Sequence, residues 1–211
     1  MDTVIKEQDL LAMETRYRAA LINSLGGFKS VVMIGSANAA GQPNLTVFSS
    51  FFHLGANPAL CGIIVRPDVS PRHTLNNILE TSSYTINHLN EDIYRQAHQT
   101  SARYNADTSE FEACGLTPGY IPGIHAPFVK ESHIRFACEF VQRMDIELNG
   151  TILMIGKIEY IHLPENAVGQ DGFINIEAAG TVTCSGLDSY HTTKRLSRLS
   201  YAKPGIAATD I

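Results

Sequence analysis

The chain has 211 residues, 44% of them hydrophobic and 18% charged, which is enough for one substantial core and too apolar for disorder. A formal net charge of −5 is at odds with the basic face a nucleic-acid binder needs. The longest apolar runs, such as Leu60 to Val65 and Ile152 to Ile155, are strand-sized, and charges run through the N-terminal segment. Neither a membrane span nor a signal peptide is therefore expected. Cys61, Cys114, Cys138 and Cys184 stand far apart without a C-x-x-C pair. Buried free thiols in a cytoplasmic protein are the expectation.

In chain order, Asp9 to Leu25 predicts one amphipathic helix, with Leu10, Leu11, Met13, Tyr17, Leu21 and Ile22 mostly on one face and Gly26-Gly27 as its stop. Its apolar stripe must cover either its own barrel or a partner subunit. Two strands follow in "KSVVMIGSANAAGQPNLTVFSSF", joined by an Asn/Gly/Pro turn, and "ALCGIIVR" reads as a third, buried on both faces. Pro71 to Thr81 holds a short helix with Thr74 as a plausible N-cap, and "SSYTINHL" is a fourth strand. Asn90 is expected to cap a helix with Glu91 and Asp92 in its first turn, and Thr108 to open another that Gly115 stops.

A Pro/Gly-rich excursion from Thr117 to Pro127 leads to two long strand-like runs joined at Asn149-Gly150, a strong hairpin signal. The tail from Asp171 reads as irregular. Mostly hairpin-joined strands with inserted helices favour an antiparallel β-barrel with peripheral helices over a doubly wound sheet. One domain spanning 1–211 is expected, with residues 1–27 as a helical arm that could serve a dimer and 185–211 as an irregular tail.

No GxSxG, HExxH, Walker A or GxGxxG motif occurs, and the histidine and cysteine spacings suit no zinc site. The carboxylate pairs Glu91/Asp92 and Glu110/Glu112 lie at predicted helix starts, where capping and solvation account for them. Two segments stand out. In "NLTVFSSFF" the strand alternation breaks at Val47-Phe48, and Ser49 and Ser50 follow between phenylalanines. These serines fit a β-bulge whose hydroxyls satisfy local backbone, or a cavity lining that meets a planar, polar-edged ligand. In "RPDVSPRHTLNN", Arg72, His73 and Thr74 stand where a helix begins. That is either a capped helix with an exposed arginine or a phosphate site made of guanidinium, imidazole, hydroxyl and free helix N–H groups. A ligand with a flat heterocycle and a phosphate, such as FMN, would use both segments.

The ordered series "GQPNLTVFSSFFHLGANPALCGIIVRP", "RHTLNNILETSSYTINHL", "SARYNADTSEFEACGLTP", "APFVKESHIRFACEF" and "LMIGKIEYIHL" resembles the flavin reductase-like family of FMN-binding split barrels. It covers about Phe28 to Tyr190. "GLDSY" resembles a C-terminal motif of one branch of that family. The resemblance implies a mainly β, Greek-key split barrel with peripheral α-helices, dimeric, with FMN near the subunit interface. It implies flavin contacts from Asn44, Thr46, Val47, Phe48, Ser49 and Ser50, and a phosphate turn drawing on Arg66, Arg72, His73 and Thr74. His73 departs from the acidic residue often seen there. Tyr190 and His191 match the rim of the flavin site, and ordinary packing explains Tyr190 equally well.

Flavin chemistry needs no acid, base or nucleophile from the protein, which fits the missing motifs. NADH or NADPH is the expected electron donor, stacking transiently because no dinucleotide fingerprint exists. A monooxygenase or electron-transfer protein is an expected partner for the reduced flavin. An FMN-binding electron-transfer protein without nicotinamide activity and a flavin-less structural dimer are the alternatives.

Overall fold

The computed structural model describes residues 2–67, 72–105 and 107–211. Its first departure from the sequence pattern is at the N-terminus, where the expected single helix is two: α1 (Glu7–Ala12) and α2 (Thr15–Leu25). Met13 is extended between them, and the Glu14 carboxylate accepts the Arg16 and Tyr17 N–H groups at 2.8 and 2.9 Å. A side chain that caps so well starts a new helix rather than continuing the old one. Neither helix has a buried residue, and Leu11, Tyr17 and Leu25 are exposed.

After β1 (Lys29–Ser30), β2 (Val32–Ala37) and β3 (Pro43–Phe48) form the expected hairpin. The segment after β3 adds a strand that the sequence pattern did not reveal, β4 (Phe52–Ala56), turning back through Asn57-Pro58 onto β5 (Ala59–Val65). Helix α3 (His73–Thr81), strand β6 (Ser83–His88) and helices α4 (Tyr94–Gln99) and α5 (Glu110–Cys114) follow. The expected helical start at Pro71 lies outside the described residues. Thr74 is not the N-cap; it is the second residue of α3.

Asn90 caps a turn rather than a helix. Its Oδ1 accepts the Asp92 N–H at 3.1 Å, Glu91 and Asp92 stay in that turn, and α4 begins at Tyr94. Helix α5 opens after Ser109 and stops at Gly115, whose φ of 70° suits glycine.

The Pro/Gly-rich excursion is a hairpin, β7 (Pro118–Ile121) with β8 (Ile124–Val129). Pro118 is tolerated because it opens its strand. The long pair β9 (Arg135–Ile146) and β10 (Thr151–His162) meets at a four-residue loop ending in Asn149-Gly150. Part of the expected irregular tail is also strand. β11 (Thr183–Ser185) pairs with both β1 and β12 (Ser189–His191).

Seven strands form one antiparallel sheet in the order β3-β2-β6-β9-β10-β5-β4. Its two edges, β3 and β4, are separated by only Ser49, Ser50 and Phe51. A linker that short spans about 14 Å at most, whereas the edges of a flat seven-stranded sheet lie about 29 Å apart. The sheet must therefore curl until its edges meet, which makes it a barrel. Register shifts in the β9–β10 pair near Gly156 and Tyr160 supply local bends. Inside the barrel pack Val32, Ile34, Ile63, Ile86 and Met154, with Leu75 and Ile78 of α3 closing one end. The Tyr84 ring crosses Gly156 so closely that a Cβ there would overlap its hydroxyl. A second core, including Met33, Leu45, Ile93, Phe111 and Val182, forms outside the β2–β3 layer beneath α4 and α5. All four cysteines are free and buried, as expected.

Candidate functional site

The barrel seam explains the serines. The Ser50 hydroxyl donates to the Ile64 carbonyl at 2.8 Å and accepts the Ile64 N–H at 3.3 Å. It thus extends the β5 ladder one step beyond β4. There is no bulge: β3 ends at Phe48 and the chain crosses from one sheet edge to the other. Among the described residues the partly buried Ser49 hydroxyl makes no hydrogen bond, so of the two serines it is the one with a hydroxyl to offer a ligand.

Strand β3 divides two environments. Leu45 and Val47 belong to the outer core, and Phe48 packs against the barrel core. The Val47 and Phe48 side chains are both only partly buried. On its open edge the Leu45 N–H donates to Glu110 Oε2 at 3.0 Å and the Val47 N–H to Thr100 Oγ1 at 2.9 Å. These side chains take the place of a neighbouring strand. Glu110 was expected to be a solvated carboxylate at a helix start, yet it is only 6% exposed. Burial raises its pKa above the ordinary carboxylate value, opposed by the Leu45 N–H and by nearby His73.

Asn44 and Thr46 face α3 in a connected polar cluster. Asn44 Nδ2 donates to Thr74 Oγ1 at 2.9 Å and to Ser36 Oγ at 3.4 Å. Thr74 Oγ1 donates to Thr46 Oγ1 at 3.3 Å, and Asn77 Nδ2 donates to Ser36 Oγ at 3.2 Å. The first α3 hydrogen bond runs from the Asn76 N–H to the Arg72 carbonyl, and among the described residues no side chain caps the helix. The N–H groups of His73, Thr74 and Leu75 therefore have no intrahelical acceptor. Beside them the Arg72 Nη2 donates to the Pro67 carbonyl at 3.0 Å, while its Nε is buried with no partner among the described residues.

A nine-residue helix with no side-chain cap and a guanidinium N–H with no partner, both among the described residues, form with two hydroxyls a donor set that fits a phosphate. Arg66 lies exposed just beyond the end of β5. Residues 68–71 of the expected phosphate turn lie outside the described residues.

His73 also lines a small open cleft of about 110 Å³, together with Asn38, Asn44, Asn77, Asn105, Thr108 and Glu110. Tyr190 and His191 are elsewhere. The Tyr190 hydroxyl and His98 Nδ1 share a hydrogen bond of 2.9 Å, and its ring packs on Tyr94 at 5.4 Å. Burial pushes its pKa up to about 12. His191 Nε2 bonds the Ser185 and Ser189 hydroxyls, and its ring meets Phe28. Tyr190 packs against the Leu45–Val47 core, the face of β3 opposite Thr46.

Residues 25–179 match the family model described as the flavin reductase like domain. The chain belongs to that family. It is 51% identical to a flavin reductase candidate with a split barrel domain from Shewanella frigidimarina NCIMB 400, with a TM-score of 0.92 over 95% of this chain and 100% of that one. The fold is thus a mainly β Greek-key split barrel with peripheral helices. Nitrilotriacetate monooxygenase component B from Bacillus cereus shares the fold at a TM-score of 0.83 and 21% identity, over 94% of this chain and 99% of that one. An FMN-binding protein from Thermus thermophilus shares it at 0.64 and 12% identity, over 78% and 85%. The chain is a flavin-linked oxidoreductase by family. Among its described residues no helix is long and apolar enough to cross a membrane.

Sequence reasoning passed over Ser36, Asn77, Thr100 and Glu110. Asn77 and Glu110 stood within quoted family motifs, "RHTLNNILE" and "TSEFE". Ser36 and Thr100 carried no local signal, because their roles depend on which strand edge they reach.

Proposed function

We propose that this protein binds FMN and acts as an NAD(P)H-dependent flavin reductase. The observation that carries the reading is the head of α3, where three helix N–H groups without an intrahelical acceptor and an Arg72 Nε with no partner among the described residues adjoin Thr46 and Thr74. These groups would hold the phosphate, with Arg66 adding positive charge and the His73 imidazole a further ring nitrogen at its border. The partnerless Ser49 hydroxyl and the backbone of residues 47–50 would meet the polar edge of the ring. Bound FMN supplies the hydride-accepting centre, and so the residues here have only to bind, orient and leave one ring face open.

Tyr190 and His191 lie across β3 from the cradle and would reach a flavin only from a second subunit. That is consistent with a homodimer whose flavin lies near the interface. The exposed apolar side chains of α1 and α2 suit the same assembly. The likeness to a monooxygenase component supports delivery of reduced flavin to a monooxygenase or electron-transfer partner. Four free thiols suit a cytoplasmic setting.

The test is anaerobic addition of NADH or NADPH to the FMN-loaded protein. Rapid bleaching of the oxidised-flavin absorbance is expected. Bound FMN that neither nucleotide bleaches would replace the reductase with an electron carrier, and a protein that takes up no FMN would leave only a structural dimer.

A further inference from the structure

The cleft beside the phosphate cradle has a chemistry that the flavin reading does not use. It shares Asn44, His73 and Asn77 with the cradle, and Glu110 and Thr108 lie on its lining. Asn44 and Asn77 turn their amide nitrogens inward to Thr74 and Ser36, which leaves their carbonyl oxygens as acceptors. The buried Glu110 carboxylate commits Oε2 to the Leu45 N–H and adds negative charge. Among the described residues neither lysine nor arginine lines the cleft, and His73 is the one basic side chain on it. An acceptor-lined space of about 110 Å³ suits a sugar-sized group bearing hydroxyl donors, and is too small for a whole nucleotide.

We propose that this cleft takes the adenosine ribose of the nicotinamide dinucleotide, and that the Glu110 carboxylate selects NADH over NADPH there. The proposal rests on the reductase reading, because it assigns that donor's far end. A carboxylate can accept a ribose 2′-hydroxyl, whereas a 2′-phosphate in the same place meets like charge in a partly desolvated pocket. His73 opposes that repulsion, but it stands at the cradle side and faces the FMN phosphate as well.

The test uses the protein as purified with FMN, at pH 8, titrated calorimetrically with 5′-AMP and with adenosine 2′,5′-bisphosphate. The 5′-AMP should bind at least about tenfold more tightly. Glu110→Gln keeps an acceptor for Leu45 and should bring the two ligands within about threefold, by tightening the bisphosphate. Thr108→Lys, at an exposed position on the rim, should likewise favour the bisphosphate, and it reads the cleft even if the Glu110 variant fails to fold.

Equal affinities in the wild type, no binding of either ligand, or a ratio that neither variant moves would overturn the proposal. The two readings fail separately. Missing FMN uptake, or bound FMN that no nicotinamide nucleotide bleaches, defeats the reductase, whereas the fragment titration reports on the cleft in the same preparation.

Discussion

The two faces of β3 carry opposite kinds of polar chemistry. Toward α4, α5 and β12 several polar groups are matched within the chain: Leu45 N–H with Glu110, Val47 N–H with Thr100, and the Tyr190 hydroxyl with His98. Toward α3 a buried network ends at the first helix N–H groups and at Arg72 Nε, which has no partner among the described residues. Buried polar groups are normally satisfied, and on the α3 side the unmatched donors gather at the head of one helix. Both faces hold residues that resemble flavin contacts, and among the described residues each also holds a buried donor without a partner, Arg72 Nε on the α3 side and Ser109 Oγ ahead of α5.

The comparison can be sharpened with acid. His88 sits at the end of β6, bonded to Thr181 in the segment that delivers β11, with its ring against Phe136. Burial pushes its pKa down from 6.5 to about 4. The folded state therefore prefers the neutral ring, and the unfolded chain takes up the proton first as pH falls. That stability is complete above about pH 6.5 and is lost on acidification toward pH 4, by at most about 3 kcal/mol. Thermal melts at pH 7.5 and 4.5 should show the loss, and His88→Gln should flatten it. An unchanged pH slope in the variant would place the acid sensitivity elsewhere.

A smaller effect should follow Tyr190→Phe, which removes one matched hydrogen bond at the surface. A stability loss of at most about 1 kcal/mol is expected, with FMN affinity unchanged in a protein kept monomeric by dilution. A large loss of affinity under those conditions would mean that the Tyr190 face contributes to the site within a single chain.

Much of this was legible from residue order. The β2–β3 hairpin, β5, β6, the long β9–β10 pair and helix α3 all carry local signals in periodicity and turn residues. What was hidden depends on curvature. Ser50 closes the seam only because a three-residue linker draws two sheet edges together, and β4 is too exposed to show an apolar pattern. Glu110 looked solvated because nothing local reveals that β3 would present an unpaired N–H to it. Tyr190 was found as a motif residue, but a motif cannot say on which side of β3 its ring would pack.

The central claim is that the head of α3 recognises a phosphate. The direct measurement is equilibrium binding of FMN and of riboflavin, which lacks only that phosphate, followed by quenching of flavin fluorescence. The wild-type protein should prefer FMN by about 100-fold or more, a difference of about 2.7 kcal/mol. Arg72→Ala combined with Thr74→Val should lose most of that preference while riboflavin affinity stays the same. Equal affinity of the wild type for the two flavins would contradict the account.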